Sequence, residues 1–176
     1  MLFPILKKSS RTVLWAAVLA AVAVVAASPG GAAEVFPAFS SRSAAGESVS
    51  SAVFADARLT VVNIWATWCP PCRAEMPDLG RLGRSMPDGS QLVGLLLDAD
   101  ESGALDDAKK ILTKANAGFL QILPVDEMRS VLEEIDAIPT TIFVDSKGRI
   151  VGDPLIGSRS EKEYRAEIEK ILKSMP

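Results

Sequence analysis

Apolar and polar positions along this chain follow two rhythms, and the changes of rhythm mark its elements. Leu59-Thr60-Val61-Val62-Asn63-Ile64-Trp65 is a short, β-branched, nearly all-apolar run, as expected of a strand buried on both faces. Residues 91–97 form a second such run. Between them Cys72, Met76, Leu79 and Leu82 recur at helical spacing, and Pro77 is expected to kink that helix. Ala104, Leu105, Ala108, Ile111, Leu112 and Ala115 mark an amphipathic helix, followed by a short strand at 121–125 and a helical stretch at 128–135. Residues 140–144 and 149–152 flank Asp145-Ser146-Lys147-Gly148, a hairpin turn with glycine where φ must be positive. Tyr164, Ile168, Ile171 and Leu172 stripe a closing helix. Residues 34–58, rich in Ser and Ala, carry only weak strand signals at 38–42 and 49–54. The alternation predicts one α/β domain over 34–176, a mixed sheet covered by helices on both faces.

Residues 1–33 read differently. Lys7, Lys8 and Arg11 precede an uncharged run from Thr12 to Ser28, and small residues end at Gly31-Ala32-Ala33. That is the order of a secretory signal. The run is shorter than the ~20 residues that comfortably span a bilayer, yet long enough to stay as an N-terminal anchor with its basic residues on the cytoplasmic side. Cleavage after Ala33 and retention as an anchor are both open. Either way the domain is expected outside the cytoplasm, with membrane contact only through residues 12–28.

Composition removes most chemistries. The 176 residues include 19 Lys+Arg and 22 Asp+Glu, for a formal net charge of −3. There is no basic excess for phosphate backbones, so nucleic acid is not an expected partner. Losing residues 1–33 would remove three positive charges and no negative one, leaving an acidic domain expected to be a soluble monomer. The chain has no histidine, which excludes Ser-His and Cys-His dyads and histidine-bearing zinc sites. Its two cysteines cannot supply four thiolates to a metal. An exported chain meets an oxidising compartment, where two thiols tend to pair.

Those thiols are Cys69-Pro70-Pro71-Cys72, at the corner between the first buried strand and the helix after it. Cys69 falls at the helix N-terminus, where free N–H groups and the dipole favour a thiolate. Pro70 and Pro71 occupy positions that tolerate a missing N–H. Cys72 lies one turn on and inward, placed to release a mixed disulfide by attacking an exposed Cys69 sulfur. Three plainer readings compete. Half a metal site lacks its other ligands, a structural bridge closing so short a loop stabilises little, and two core cysteines sit oddly beside Trp68 and a proline pair. Ile138-Pro139 precedes the strand at 140–144. A proline there is a candidate cis bond that would free the Ile138 backbone to pair with an extended substrate.

The stretch Val61-Val62-Asn63-Ile64-Trp65-Ala66-Thr67-Trp68-Cys69-Pro70-Pro71-Cys72-Arg73-Ala74-Glu75-Met76-Pro77 closely resembles the active-site segment of thioredoxin-like thiol–disulfide oxidoreductases. The exported TlpA/ResA type is the nearest in pattern, over roughly residues 36–176. The resemblance implies a thioredoxin-like fold with extra N-terminal strands and a central insertion at 98–126. It maps the family's cis-proline onto Pro139, its kink proline onto Pro77 and its late glycine onto Gly157. It also implies catalysis by Cys69 as nucleophile and Cys72 as resolving thiol, with a substrate surface of Trp68, Pro70, Pro71 and Ile138. The only redox group implied is the Cys69–Cys72 disulfide, with no metal or other cofactor. Where cytoplasmic thioredoxins carry a buried aspartate this chain has Asn63, which takes no proton. The subgroup places a carboxylate three residues after the second cysteine, here Glu75, as the proton acceptor for Cys72. A solvent-facing Glu75 that merely complements the helix dipole is the alternative.

With prolines between the cysteines, no histidine and Glu75 opposing a thiolate, the pair is expected to be a reductant. A reductant in an oxidising compartment needs a membrane thiol donor. By resemblance its clients are oxidised protein thiols, apocytochrome c among them. A thiol peroxidase would carry threonine where Ala66 stands, and copper-handling relatives use a longer cysteine spacing and a histidine. A non-catalytic peptide- or copper-binding module is the remaining alternative.

Overall fold

A computed structural model describes residues 34–176; the expected signal or anchor at 1–33 lies outside them. The first buried run is β3 (Leu59–Trp65), all seven residues buried. It lies parallel to β4 (Ser90–Leu96) and antiparallel to β6 (Thr140–Asp145). With β5 (Leu120–Ile122) beyond β4 and β7 (Leu155–Ile156) beyond β6, the five strands run in the order β5-β4-β3-β6-β7. A central strand paired on both edges and covered on both faces needs apolar side chains throughout, which explains its composition.

Side chains of β3 alternate between two cores. Leu59, Val61 and Trp65 face the helices α1 (Pro70–Arg84) and α4 (Glu161–Ser174), packing with Met76, Leu79, Leu82, Tyr164 and Ile168. Val62 and Ile64 face the other way, among Phe36, Phe39, Phe54, Met128 and Val131. Period two therefore puts Asn63 on the α1/α4 side, opposite Thr141 in the β3–β6 register. Pro77 lies within α1, where it removes one helical hydrogen bond while the helix continues to Arg84. Ser160 begins α4 with a capping box to Glu163.

The structure shifts several predicted boundaries. The weak N-terminal strands are β1 (Ser40–Arg42) and β2 (Ser48–Ser50), a separate antiparallel pair. Residues 51–54, expected to extend the second strand, open a 3-10 turn over Ser51–Asp56, because Ser50 caps it by accepting the Ala52 N–H. That turn presents Phe54 edge-on to Phe36 and Phe39. The amphipathic helix is α2 (Ala104–Ala115). β5 stops before the predicted 125, since Pro124 has no N–H to pair. The helical stretch shrinks to a 3-10 turn at Asp126–Met128 and the single turn α3 (Arg129–Leu132). After the expected turn, with Gly148 at φ +78, Ile150 makes only an isolated bridge to Val144. Pairing with β6 resumes at β7, beyond Pro154.

Candidate active site

β3 ends at Trp65, and the chain turns through Ala66, Thr67 and Trp68 to Cys69, the N-cap of α1. Pro70 and Pro71 open the helix, where no N–H is required. Cys69 Sγ accepts the Cys72 N–H at 3.2 Å, and the Cys69 carbonyl accepts the Arg73 N–H at 3.1 Å. The helix N-terminus thus presents one N–H, that of Cys72, to the Cys69 sulfur, an arrangement that stabilises negative charge there. Cys69 and Cys72 are joined in a disulfide, Cα–Cα 5.3 Å.

Cys69 was expected to be exposed, yet in the disulfide form it is 2% exposed and Cys72 fully buried. Capping turns the Cys69 sulfur inward, toward its own helix and the Ile138 carbonyl. Its chain neighbours remain outside: Trp68 is 60% exposed, and Pro70, Pro71 and Arg73 are exposed.

The second wall comes from the start of β6. The Ile138–Pro139 bond is cis, and the Ile138 carbonyl oxygen lies 3.7 Å from Cys69 Sγ. Pro139 is buried and Ile138 half-buried. Gly157, at φ +84, donates its N–H to the Pro139 carbonyl at 2.7 Å, so the late glycine of the sequence pattern meets the proline in space. Ile156, 59% exposed, pairs with Thr140 beside this turn. Sequence reading passed over it, although an apolar residue just before Gly157 was its signal.

Below the disulfide sits Glu75, one turn after Cys72 and 3% exposed. The solvent-facing alternative is therefore excluded. Its Oε1 accepts from Asn63 Nδ2 at 2.9 Å; its Oε2 accepts from the Tyr164 hydroxyl at 3.0 Å and the Arg159 N–H at 3.1 Å. Burial pushes the Glu75 carboxyl above its ordinary value, and the hydrogen bonds from Asn63, Arg159 and Tyr164, with the Arg159 charge, pull against that shift. Glu75 can thus hold a proton more readily than a surface glutamate.

Two further groups went unnoticed in sequence. Tyr164 was read only as one residue of a core stripe. Asp98, buried just past β4, accepts the Thr67 N–H at 3.0 Å and the Thr67 hydroxyl through Oδ2, tying down the turn that leads to Cys69. Its signal was the first carboxylate directly after an apolar run.

Known proteins match this arrangement. The chain is 30% identical over 128 residues to the thiol:disulfide interchange protein DsbE of Yersinia pestis, covering 73% of this chain and 64% of that protein. It is 27% identical over 113 residues to the thiol-disulfide oxidoreductase ResA of Bacillus thuringiensis, covering 62% of this chain and 61% of that one. The chain thus spans less than two thirds of either curated relative. A crystal structure of a thiol:disulfide interchange protein of the thioredoxin family from Chlorobium tepidum superposes with a TM-score of 0.66 at 26% identity, covering 80% of this chain and 97% of that one. Residues 31–168 match the Redoxin family model. With its thioredoxin-like sheet and helices built around a Cys-Pro-Pro-Cys corner, the chain belongs to the Redoxin family.

Proposed function

We propose that this protein is an extracytoplasmic thiol–disulfide oxidoreductase that reduces protein disulfides. The observation carrying this reading is the Cys69–Cys72 disulfide at a helix N-cap, with Cys69 Sγ 3.7 Å from the Ile138 carbonyl. In the reduced protein Cys69, as thiolate, attacks one sulfur of a client disulfide, forming a mixed disulfide and releasing the other client sulfur as thiolate. Glu75 takes the Cys72 proton. The Cys72 thiolate then attacks Cys69 Sγ, closing the internal disulfide and expelling the second client thiolate. Two electrons pass from the protein to the client. Trp68, Pro70, Pro71 and Ile138, with Ile156 beside them, form the surface a client segment meets, and Pro139 shapes its floor.

The reducing direction is supported by the lack of histidine between the cysteines and by the Glu75 carboxylate, which opposes a thiolate by like charge. A reduction potential nearer about −270 mV than about −120 mV is expected. Residues 1–33 act as an export signal or retained anchor, electrons come from a membrane thiol protein, and apocytochrome c thiols are a client class. The names of DsbE, ResA and the Chlorobium protein support the exchange chemistry. Redox titration of the Cys69/Cys72 couple, with insulin reduction by wild type and a Cys69→Ser/Cys72→Ser variant, tests the reading. A potential at the oxidising end overturns the direction; equal insulin reduction by the double variant overturns the activity.

A further inference from the structure

Around Glu75 the side-chain hydrogen bonds form a closed ring. Asn63 Nδ2 has two protons, one pointing to Glu75 Oε1 at 2.9 Å and one to Thr141 Oγ1 at 3.1 Å. Thr141 Oγ1 lies 3.2 Å from the Tyr164 hydroxyl, which donates at 3.0 Å to Glu75 Oε2. Tyrosine has one hydroxyl proton and spends it on Glu75, so Thr141 donates to Tyr164. Every bond therefore points toward the carboxylate, the one member with no proton to give. β3, β6 and α4 each supply one donor-bearing side chain, and all three are buried. Such a ring in a dry core stabilises one protonation pattern over others.

We propose that Tyr164 is a positioning residue for proton transfer: with Thr141 and Asn63 it fixes the carboxylate that receives the Cys72 proton and sets how tightly that proton is held. The proposal rests on the reading of Glu75 as the proton acceptor. Asn63 Oδ1, buried and without a donor among the described residues, completes the device. When the Cys72 S–H bond breaks, its electron pair stays on sulfur and the proton forms an O–H on Glu75. A half-turn of the Asn63 amide then lets Oδ1 accept that O–H while giving up the Nδ2 bonds to Glu75 and Thr141, so the ionised carboxylate keeps the better-bonded ring. Charged and titratable groups facing Glu75 are Cys72 on its own helix, Arg159 ahead of α4, and Tyr164. Tyr164 stays protonated throughout, because burial and the Glu75 charge push its phenol far above the usual range.

Tyr164 is the only tyrosine in the chain, so 3-fluorotyrosine incorporated into the full-length protein labels it alone. The 19F resonance should move with pH along the Glu75 titration, followed independently by carboxyl 13C NMR, and that movement should vanish in Glu75→Gln. Tyr164→Phe removes a donor to the ionised carboxylate and should raise the Glu75 titration by about one pH unit. The acid limb of the resolving step should rise with it. Fluorination makes the phenol a stronger donor and should shift both downward. An unmoved Glu75 titration in Tyr164→Phe overturns the proposal. If that variant fails to fold, an unmoved titration in the fluorotyrosine protein does so. A titration that moves while the resolving rate does not supports the ring and overturns Glu75 as the base for Cys72.

Discussion

Asn63 and Glu75 meet across the buried β3–α1 interface, amide nitrogen to carboxylate oxygen at 2.9 Å. The contact explains how the site keeps an ionisable group although Asn63 itself has none. The carboxylate is delivered from the helix instead of the strand, and the strand residue becomes its donor. An ionisable group reached this way sits one helical turn from Cys72, and its hydrogen-bond partners come from three other parts of the fold.

Exchanging Glu75 for glutamine should separate catalysis from folding. General-base assistance of this kind contributes at least about 10²-fold, so Glu75→Gln should slow release of the mixed disulfide by that order while the fold persists. Stability gives a second reading. The carboxyl titrates above its ordinary 4.5 in the native state, so the unfolded chain loses the proton first as pH rises. Native stability therefore falls between 4.5 and the raised native value, and that contribution is fully lost above it. Thermal melts should show the wild type losing ground to Glu75→Gln across that window. A difference independent of pH would refute the raised titration.

The two cysteines should prove inequivalent. Cys72→Ser should trap a mixed disulfide on Cys69, and Cys69→Ser should abolish attack on any client. Cys69 is almost covered in the disulfide form, with exposed Trp68 and Pro70 on either side of it in the chain. Mass-spectrometric mapping of iodoacetamide on the reduced protein should find Cys69 modified first. Prior modification of Cys72 would reverse the roles, and two inert thiols would end the enzymatic reading.

Much of this was legible in the sequence because local rules and tertiary burial agreed. The apolar run 59–65 gave β3 to the residue, and the helical spacing of Cys72, Met76, Leu79 and Leu82 gave the buried face of α1. Boundaries failed where a side chain competes with the ladder, at Ser50, or where a proline interrupts it, at Pro124 and Pro154. The site was half legible. Cys69 and Cys72 announce themselves by spacing, whereas Tyr164 and Asp98 gain their roles only from partners 89 and 31 residues away. No local pattern encodes a hydrogen bond between α1 and α4. The inward turn of Cys69 is of the same kind, since it depends on a carbonyl 69 residues distant.

Gly157 offers a test of the wall opposite the disulfide. A Cβ there would find room, its nearest neighbour being Arg159 Nη1 at 3.6 Å, but φ is +84. Gly157→Ala should therefore cost about 1–2 kcal/mol from backbone strain alone, read as a lower urea midpoint. Relieving that strain displaces the N–H held by the Pro139 carbonyl, so the KM for a disulfide client should rise as well. Gly46, at φ +86 with open space around it, supplies the control: Gly46→Ala should lose similar stability and leave KM alone. Equal KM changes in both would detach Gly157 from the site.

Asp98 should prove to be the anchor of the turn that carries Trp68 and Cys69. Its Oδ2 takes both the N–H and the hydroxyl of Thr67, so Asp98→Ala strands two donors in a largely buried corner. Leaving such groups unpaired costs about 1–3 kcal/mol. Thr67→Val removes the hydroxyl while the backbone N–H keeps its acceptor, and should cost less than Asp98→Ala. Because the two residues share bonds, their effects should not add: the double variant should be more stable than the sum of the single losses predicts, by at least about 0.5 kcal/mol. Urea unfolding of the four proteins gives that coupling directly. Thr67 lies two residues before Cys69, so Asp98→Ala should also change the rate at which reduced Cys69 is alkylated, whereas Lys110→Ala on the exposed side of α2, which breaks a surface ion pair with Asp107, should not. Strict additivity, or a wild-type alkylation rate in Asp98→Ala, would reduce Asp98 to a bystander beneath the loop.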